Sequence, residues 1–238
     1  MNAQEHINAC LKSLLYQAYK EFEIIAIEDK STDASYKILA KYKKRYPKLR
    51  VYRNIKRYGL AICLNRAIKR ARGRYIAFMH VKDKSARSRL QKQVNFLVSH
   101  PKVVALGTQC RFINDDHKTL GKSAFPLTHE TIGSIVIPGI SAQFETFVID
   151  RKRLPKDILS FKPIAYPFLY SEVFLKLGQY GKIANLPFVL YEHKRSELPS
   201  VRNAKFLFSH MKVWLNSALT NGNRPPLSSL FSPLLKQA

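Results

Sequence analysis

The chain has 238 residues, 46% of them apolar, which suits one domain with a sizeable core and sets disorder aside for most of it. Its three cysteines, Cys10, Cys63 and Cys110, make neither a disulfide framework nor a zinc ligand set, and no run of about 18 uncharged apolar residues marks a membrane span. The 41 Lys and Arg against 16 Asp and Glu give a formal charge of +25, a field that selects anionic partners: nucleic acid, an anionic membrane leaflet or a phosphorylated substrate.

Along the chain, Ile7, Cys10, Leu11, Leu14 and Leu15 recur at helical spacing and predict an amphipathic helix over residues 7–19. Residues 22–27 are a short apolar, β-branched strand running into Glu28-Asp29-Lys30-Ser31-Thr32-Asp33. Ser31, Thr32 or Asp33 is placed to cap the helix that Tyr36, Leu39, Ala40 and Tyr42 continue. The unit then repeats: a strand at 49–52, a basic helix at 60–72 stopped by Gly73, and a strand at 74–79. Strands alternating with helices predict an α/β fold with a mostly parallel sheet covered on both faces, whose ligands bind beyond the carboxyl ends of the strands. Here those ends are the loops starting at Glu28 and His80.

Residues 88–100 read as a helix closed by Pro101, residues 103–107 and 111–113 as strands, and Asn114-Asp115-Asp116-His117 as a hairpin turn. Strand character returns at 143–150 and 188–193, and helix character at 170–180. The expected division is a domain over 1–200 and a C-terminal extension over 201–238, with a helix at 206–219 and a Pro-containing tail. The first twenty residues hold polar and acidic positions where a signal peptide needs an apolar core, so a cytoplasmic chain is expected, soluble or peripheral at the inner face of the membrane.

Four stretches, in order and at consistent spacing, resemble the family 2 glycosyltransferases of the GT-A fold over residues 2–195. They are "QAYKEFEIIAIEDKSTDAS" (17–35), "GLAICLNRAI" (59–68), "RGRYIAFMHVKD" (72–83) and "KIANLPFVLY" (182–191). The resemblance implies a nucleotide-diphospho-sugar donor such as a UDP- or GDP-sugar, an inverting transfer, and an envelope polysaccharide or lipid-linked acceptor. By position it gives Asp29, with Glu28 beside it, the nucleotide base, and it places Ser31, Asp33 and Asn65 in the nucleotide-binding stretches.

The resemblance departs from the family at three places. The Asp-x-Asp that holds Mg²⁺ or Mn²⁺ on the diphosphate reads His80-Val81-Lys82 here. An imidazole and an ammonium make a poor site for a hard cation, so no metal cofactor is expected. Lys82, His80 and Asp83 are left to face the diphosphate, with Lys82 as a point charge in place of the metal. The Glu-Asp pair that supplies the general base is reduced to Glu172, which could equally be a first-turn charge complementing a helix dipole. The family's opening apolar strand is also missing, as though cut off before Asn2, and in the GT-A sheet that strand is an interior one.

A competing reading is a non-catalytic pseudoenzyme that docks on anionic lipid or polysaccharide through its basic face. Between Asp33 and Asp83 there is no acidic residue and there are sixteen Lys and Arg, which also suits a solvated surface. Nucleic-acid binding rests on that charge and on Tyr42, Tyr46, Tyr52, Tyr58 and Tyr75, which are placed equally well to cover a core, and it is not expected.

Overall fold

The structure is a computed structural model and describes residues 1–133, 142–163 and 168–195; the expected helix at 206–219 and the tail beyond it lie outside these residues. Helix α1 (Gln4–Leu15) buries Ile7, Cys10 and Leu11, the face its spacing dictates. Strand β1 (Ile24–Glu28) leads through α2 (Ser35–Arg45) to β2 (Leu49–Arg53), and the two strands pair in parallel from Ile24 opposite Leu49 to Glu28 opposite Arg53. Helix α3 (Leu60–Arg70) starts after Gly59, whose φ of 82° only glycine adopts without cost. It leads to β3 (Tyr75–Ala77).

The remaining elements are β4 (Lys84–Ser85), α4 (Arg89–Ser99), β5 (Val103–Ile113), β6 (Thr119–Lys122), α5 (His129–Gly133), β7 (Val148–Asp150), α6 (Ser171–Leu177) and β8 (Lys182–Lys194). Strand β5 is one continuous run where two strands were expected. Strand β8 reaches six residues further toward the N-terminus than its apolar signal, because Ile183, Leu186 and their neighbours pair along the whole of β5.

The α/β class is as expected, but the pairing is mixed rather than mostly parallel. The larger sheet has the order β3-β7-β5-β8-β4 with β6 on β5, and within it only β5 and β8 run parallel. The β5–β6 connection is too short for a parallel crossover and closes as a hairpin. The main core lies beneath this sheet, where Phe78, Phe144, Phe147, Phe161 and Tyr170 cluster and the Phe144 and Tyr170 rings stack at 4.4 Å.

Strands β1 and β2 form a separate two-stranded sheet. Among the described residues β1 pairs only with β2, and β3 only with β7. Both nonetheless lie under α3, which packs on β1 and sends Ala61, Leu64 and Ile68 into the cluster holding Ile76 and Phe78. Glu23 Oε1, at the head of β1, accepts the Arg72 and Gly73 N–H groups ahead of β3 at 2.6 and 3.4 Å. Among the described residues the sheet is therefore divided between β1 and β3.

Candidate functional site

The polar loops after β1 and β3 and the N-terminal end of α1 meet at one edge of the fold. Glu28 closes the first loop from inside. It is buried, its Oε1 accepts Ser31 N–H at 2.5 Å and its Oε2 pairs with Arg53 at 3.1 Å. Asp29 points the other way and organises residues 54–59. Its Oδ1 accepts Asn54 Nδ2 at 2.7 Å and Tyr58 N–H at 2.9 Å, and its Oδ2 accepts Gly59 N–H at 2.9 Å. Burial pushes the Asp29 carboxyl pKa up, but these hydrogen bonds favour the ionised form and hold it below the usual range. The Cys63 thiol faces the same carboxylate, and burial followed by that charge pushes its pKa up to about 11.

Ser31 and Asp33 form a reciprocal clasp between two helix starts. Ser31 Oγ accepts Asn2 N–H at 3.1 Å; Asp33 Oδ2 accepts Gln4 N–H at 3.0 Å and its Oδ1 accepts Ser35 N–H at 2.9 Å. Asn2 Oδ1 and Gln4 Oε1 return the arrangement to Thr32 N–H and Ala34 N–H. Donors that a helix start leaves without intrahelical partners are thus satisfied across 29 to 30 residues of chain, which is why α1 begins at Gln4 rather than at its first apolar residue. Asn65 lies elsewhere: it exchanges two 2.8 Å bonds with the Phe161 main chain and fastens α3 to the core.

In the second loop His80 and Lys82 are accessible, and Lys82 N–H approaches His80 Nδ1 at 3.4 Å. Asp83 turns inward. It is 1% exposed; its Oδ2 accepts the Tyr191 hydroxyl at 2.7 Å and contacts His193 Nδ1 at 2.9 Å, while its Oδ1 accepts Lys194 N–H at 2.9 Å. The buried Arg89 guanidinium stacks over Tyr191 at 4.8 Å. Asp83 therefore anchors the end of β8 beneath the loop and leaves no open carboxylate at its surface.

These donors do not fit the divalent cation that the resemblance implies. His80, Val81 and Lys82 offer no carboxylate and one positive charge, both oxygens of Asp83 are engaged, and no group of three or more His, Cys, Asp or Glu among the described residues could hold a metal. Glu172, in the first turn of α6, pairs with Lys162 and Lys176, each at 2.8 Å. Burial raises its pKa, the two lysines outweigh that, and the net direction is down, which keeps it ionised but makes it a weak proton acceptor.

Residue patterns left several members of this edge unnoticed. Asn54 and Tyr58 reach Asp29 from a loop without a motif, and His193 and Lys194 lie just past the last family-like stretch. His6 sits in a helix read only for its apolar face. Position along β8 beyond Tyr191 was the one signal that could have found His193 and Lys194.

Residues 1–156 match the sequence model of the family described as "Glycosyl transferase family 2". The chain belongs to that family. Among curated relatives, a putative teichuronic acid biosynthesis glycosyltransferase, TuaG, of Bacillus subtilis is 30% identical over 126 residues, covering 53% of this chain and 47% of that protein. The family 2 chain described here thus spans about half the length of that relative. Among solved structures, residues 1–349 of S. aureus TarS in complex with UDP-GlcNAc align with a TM-score of 0.72 at 19% identity, covering 98% of this chain and 68% of that one. A mannosyltransferase of Pyrobaculum calidifontis in complex with GDP-Man and Mn²⁺ aligns with a TM-score of 0.68 at 17% identity, covering 98% and 66%. At these identities the two structures establish the GT-A fold alone. No helix among the described residues is long and apolar enough to cross a membrane.

Proposed function

We propose that this family 2 chain binds a nucleoside-diphosphate sugar at the edge between Asp29 and Lys82 and serves transfer of the sugar to a cell-envelope polysaccharide or a lipid-linked acceptor. The observation that carries this reading is Asp29. It is an ionised carboxylate at the carboxyl end of a parallel strand, fixed by three donors, in a chain whose family transfers sugars. A fixed carboxylate suits the N–H edge of a nucleobase, and a cationic loop suits a leaving diphosphate. In the transfer, the acceptor hydroxyl oxygen bonds to the anomeric carbon, the bond to the diphosphate breaks, and the hydroxyl proton passes to a base. Glu172 is the carboxylate assigned to that last role, and its pairing with two lysines argues for slow turnover. The relative named for teichuronic acid biosynthesis and the neighbour holding UDP-GlcNAc support an envelope acceptor and a nucleotide donor.

Calorimetry with UDP and GDP, followed by product detection with UDP- and GDP-sugars, tests the reading. Binding that Asp29→Ala weakens about tenfold is expected. A folded, monodisperse protein that binds no nucleotide would sink it.

One observation favours a binding role for the basic face. Of the cations between Lys37 and Lys82, only Arg50, Arg53 and Arg74 have ion-pair partners among the described residues. Lys37, Lys41 and Lys44 form an exposed stripe on α2, suited to an anionic leaflet or polymer. Co-sedimentation with anionic vesicles that fails at low salt removes this role.

A further inference from the structure

Positive charge surrounds the loop after β3. Lys82 is exposed and has no ion-pair partner among the described residues. Cys10 of α1 reaches the His80 carbonyl at 3.8 Å, and His6 lies one turn earlier on the same face of that helix. Asp83 Oδ1 also accepts the Lys194 N–H at 2.9 Å, which ties that end of β8 to the loop. The Lys194 side chain is only 6% exposed, and its ammonium reaches Asp115 at 3.3 Å. His6 registers both lysines: burial first, then Lys194 and Lys82, lower its pKa against the opposing charges of Glu5 and Asp115. Three elements that are distant in sequence thus bring basic groups to one place, where an Asp-x-Asp carboxylate pair is missing.

We infer that Lys82 and Lys194, with the His6 imidazole, form a cradle that takes the diphosphate of a nucleotide without a divalent cation. The inference rests on the nucleotide reading above and deepens it. A diphosphate carries its charge on oxygens that a hard cation would otherwise bridge, and ammonium groups neutralise such oxygens as point charges. Lys194 is already largely desolvated, so it gives up little hydration on contact, and its ion pair with the exposed Asp115 is one that a more highly charged anion can displace. A cation would have to enter a field that these lysines make repulsive.

The test is calorimetry on the full chain with UDP and GDP and with uridine and guanosine, in EDTA and in Mn²⁺, for the wild type and for Lys82→Ala, Lys194→Ala, Lys82→Arg and Lys194→Arg. Expected is a diphosphate affinity that changes less than about twofold between EDTA and Mn²⁺, falls about tenfold in each alanine variant and is largely kept by arginine. Nucleoside affinity stays constant throughout. Tightening of about tenfold by Mn²⁺, or a Lys82→Ala variant that binds like the wild type, overturns the inference. Lys82 is exposed, so that variant decides even if Lys194→Ala fails to fold. Nucleosides that bind as well as their diphosphates overturn the cradle and leave the nucleotide pocket standing; if no nucleoside or nucleotide binds, both fall.

Discussion

Asn65 donates to the Phe161 carbonyl and accepts the Phe161 N–H, each at 2.8 Å, so a single side chain of α3 joins positions 96 residues apart in the chain. The bond pair holds the segment that also carries Lys162, one of the two partners of Glu172. A residue that the family resemblance places near the nucleotide is thereby engaged as a clasp between the first half of the fold and the second.

Replacing it separates the two roles. Asn65→Ala leaves a partly buried N–H and C=O without partners and is expected to cost about 1–3 kcal/mol of stability by urea denaturation, with nucleotide affinity of the folded fraction unchanged. A loss of affinity at unchanged stability would return Asn65 to the binding site.

Asp83 is expected to matter more. Removing its carboxylate strands the Tyr191 hydroxyl, His193 and the Lys194 N–H in a buried setting, and Asp83→Ala is expected to destabilise by about 3 kcal/mol or more. Asp83→Asn retains an acceptor and is expected to lose less. Equal thermal midpoints for Asp83→Ala and the wild type would contradict the anchoring role.

Asp150 sets an acid limb. Burial raises its pKa, but Arg74 and Arg153 outweigh burial, so the folded pKa lies below the ordinary carboxylate value. A lowered folded pKa contributes stability that is complete above about pH 4 and is lost as the pH falls through the folded value. Asp150→Asn is expected to cost about 2 kcal/mol at pH 7, less than a fully buried pair because both arginines are partly solvated, and to flatten the fall in stability below pH 4. An unchanged acid limb in the variant would contradict this.

The cysteines give a chemical check on packing. Burial pushes the Cys10 and Cys110 thiols up to about 12, and burial with the Asp29 charge takes Cys63 to about 11. The thiolate is the reactive form, so native protein at pH 8 is expected to resist a chromogenic disulfide reagent and to release its thiols at once in urea. Fast labelling of Cys10 or Cys110 in the native protein would mean that α1 or β5 opens readily.

Much of this fold was legible because each apolar run had a length and period of its own. Residues 22–27, 60–72 and 74–79 announced strand, helix and strand, and the structure sets β1, α3 and β3 within two or three residues of those bounds. The start of α1 was not legible, because its caps come from Ser31, Asp33 and Ser35, far along the chain. The mixed pairing was hidden for a similar reason: a short β-branched run carries no record of which neighbour it will meet or in which direction. Within the candidate site, Asp29 and Lys82 could be found by position in a motif. The inward turn of Asp83 could not, since it depends on Tyr191 and His193, more than a hundred residues away.

The division between β1 and β3 has a mechanical meaning. In a continuous sheet, hydrogen-bonded neighbours fix the spacing of their end loops as rungs fix two rails. Here Asp29 stands at the end of one rail and Lys82 beyond the end of another, and among the described residues no rung joins β1 to β3. Their separation is set by side chains: the packing of α3 over both strands, Glu23 gripping Arg72 and Gly73 at one end, and α1 spanning from the Ser31 and Asp33 clasp to His80 at the other. Substitutions on those helix faces, remote from any ligand, therefore adjust the span across which a nucleotide would be held.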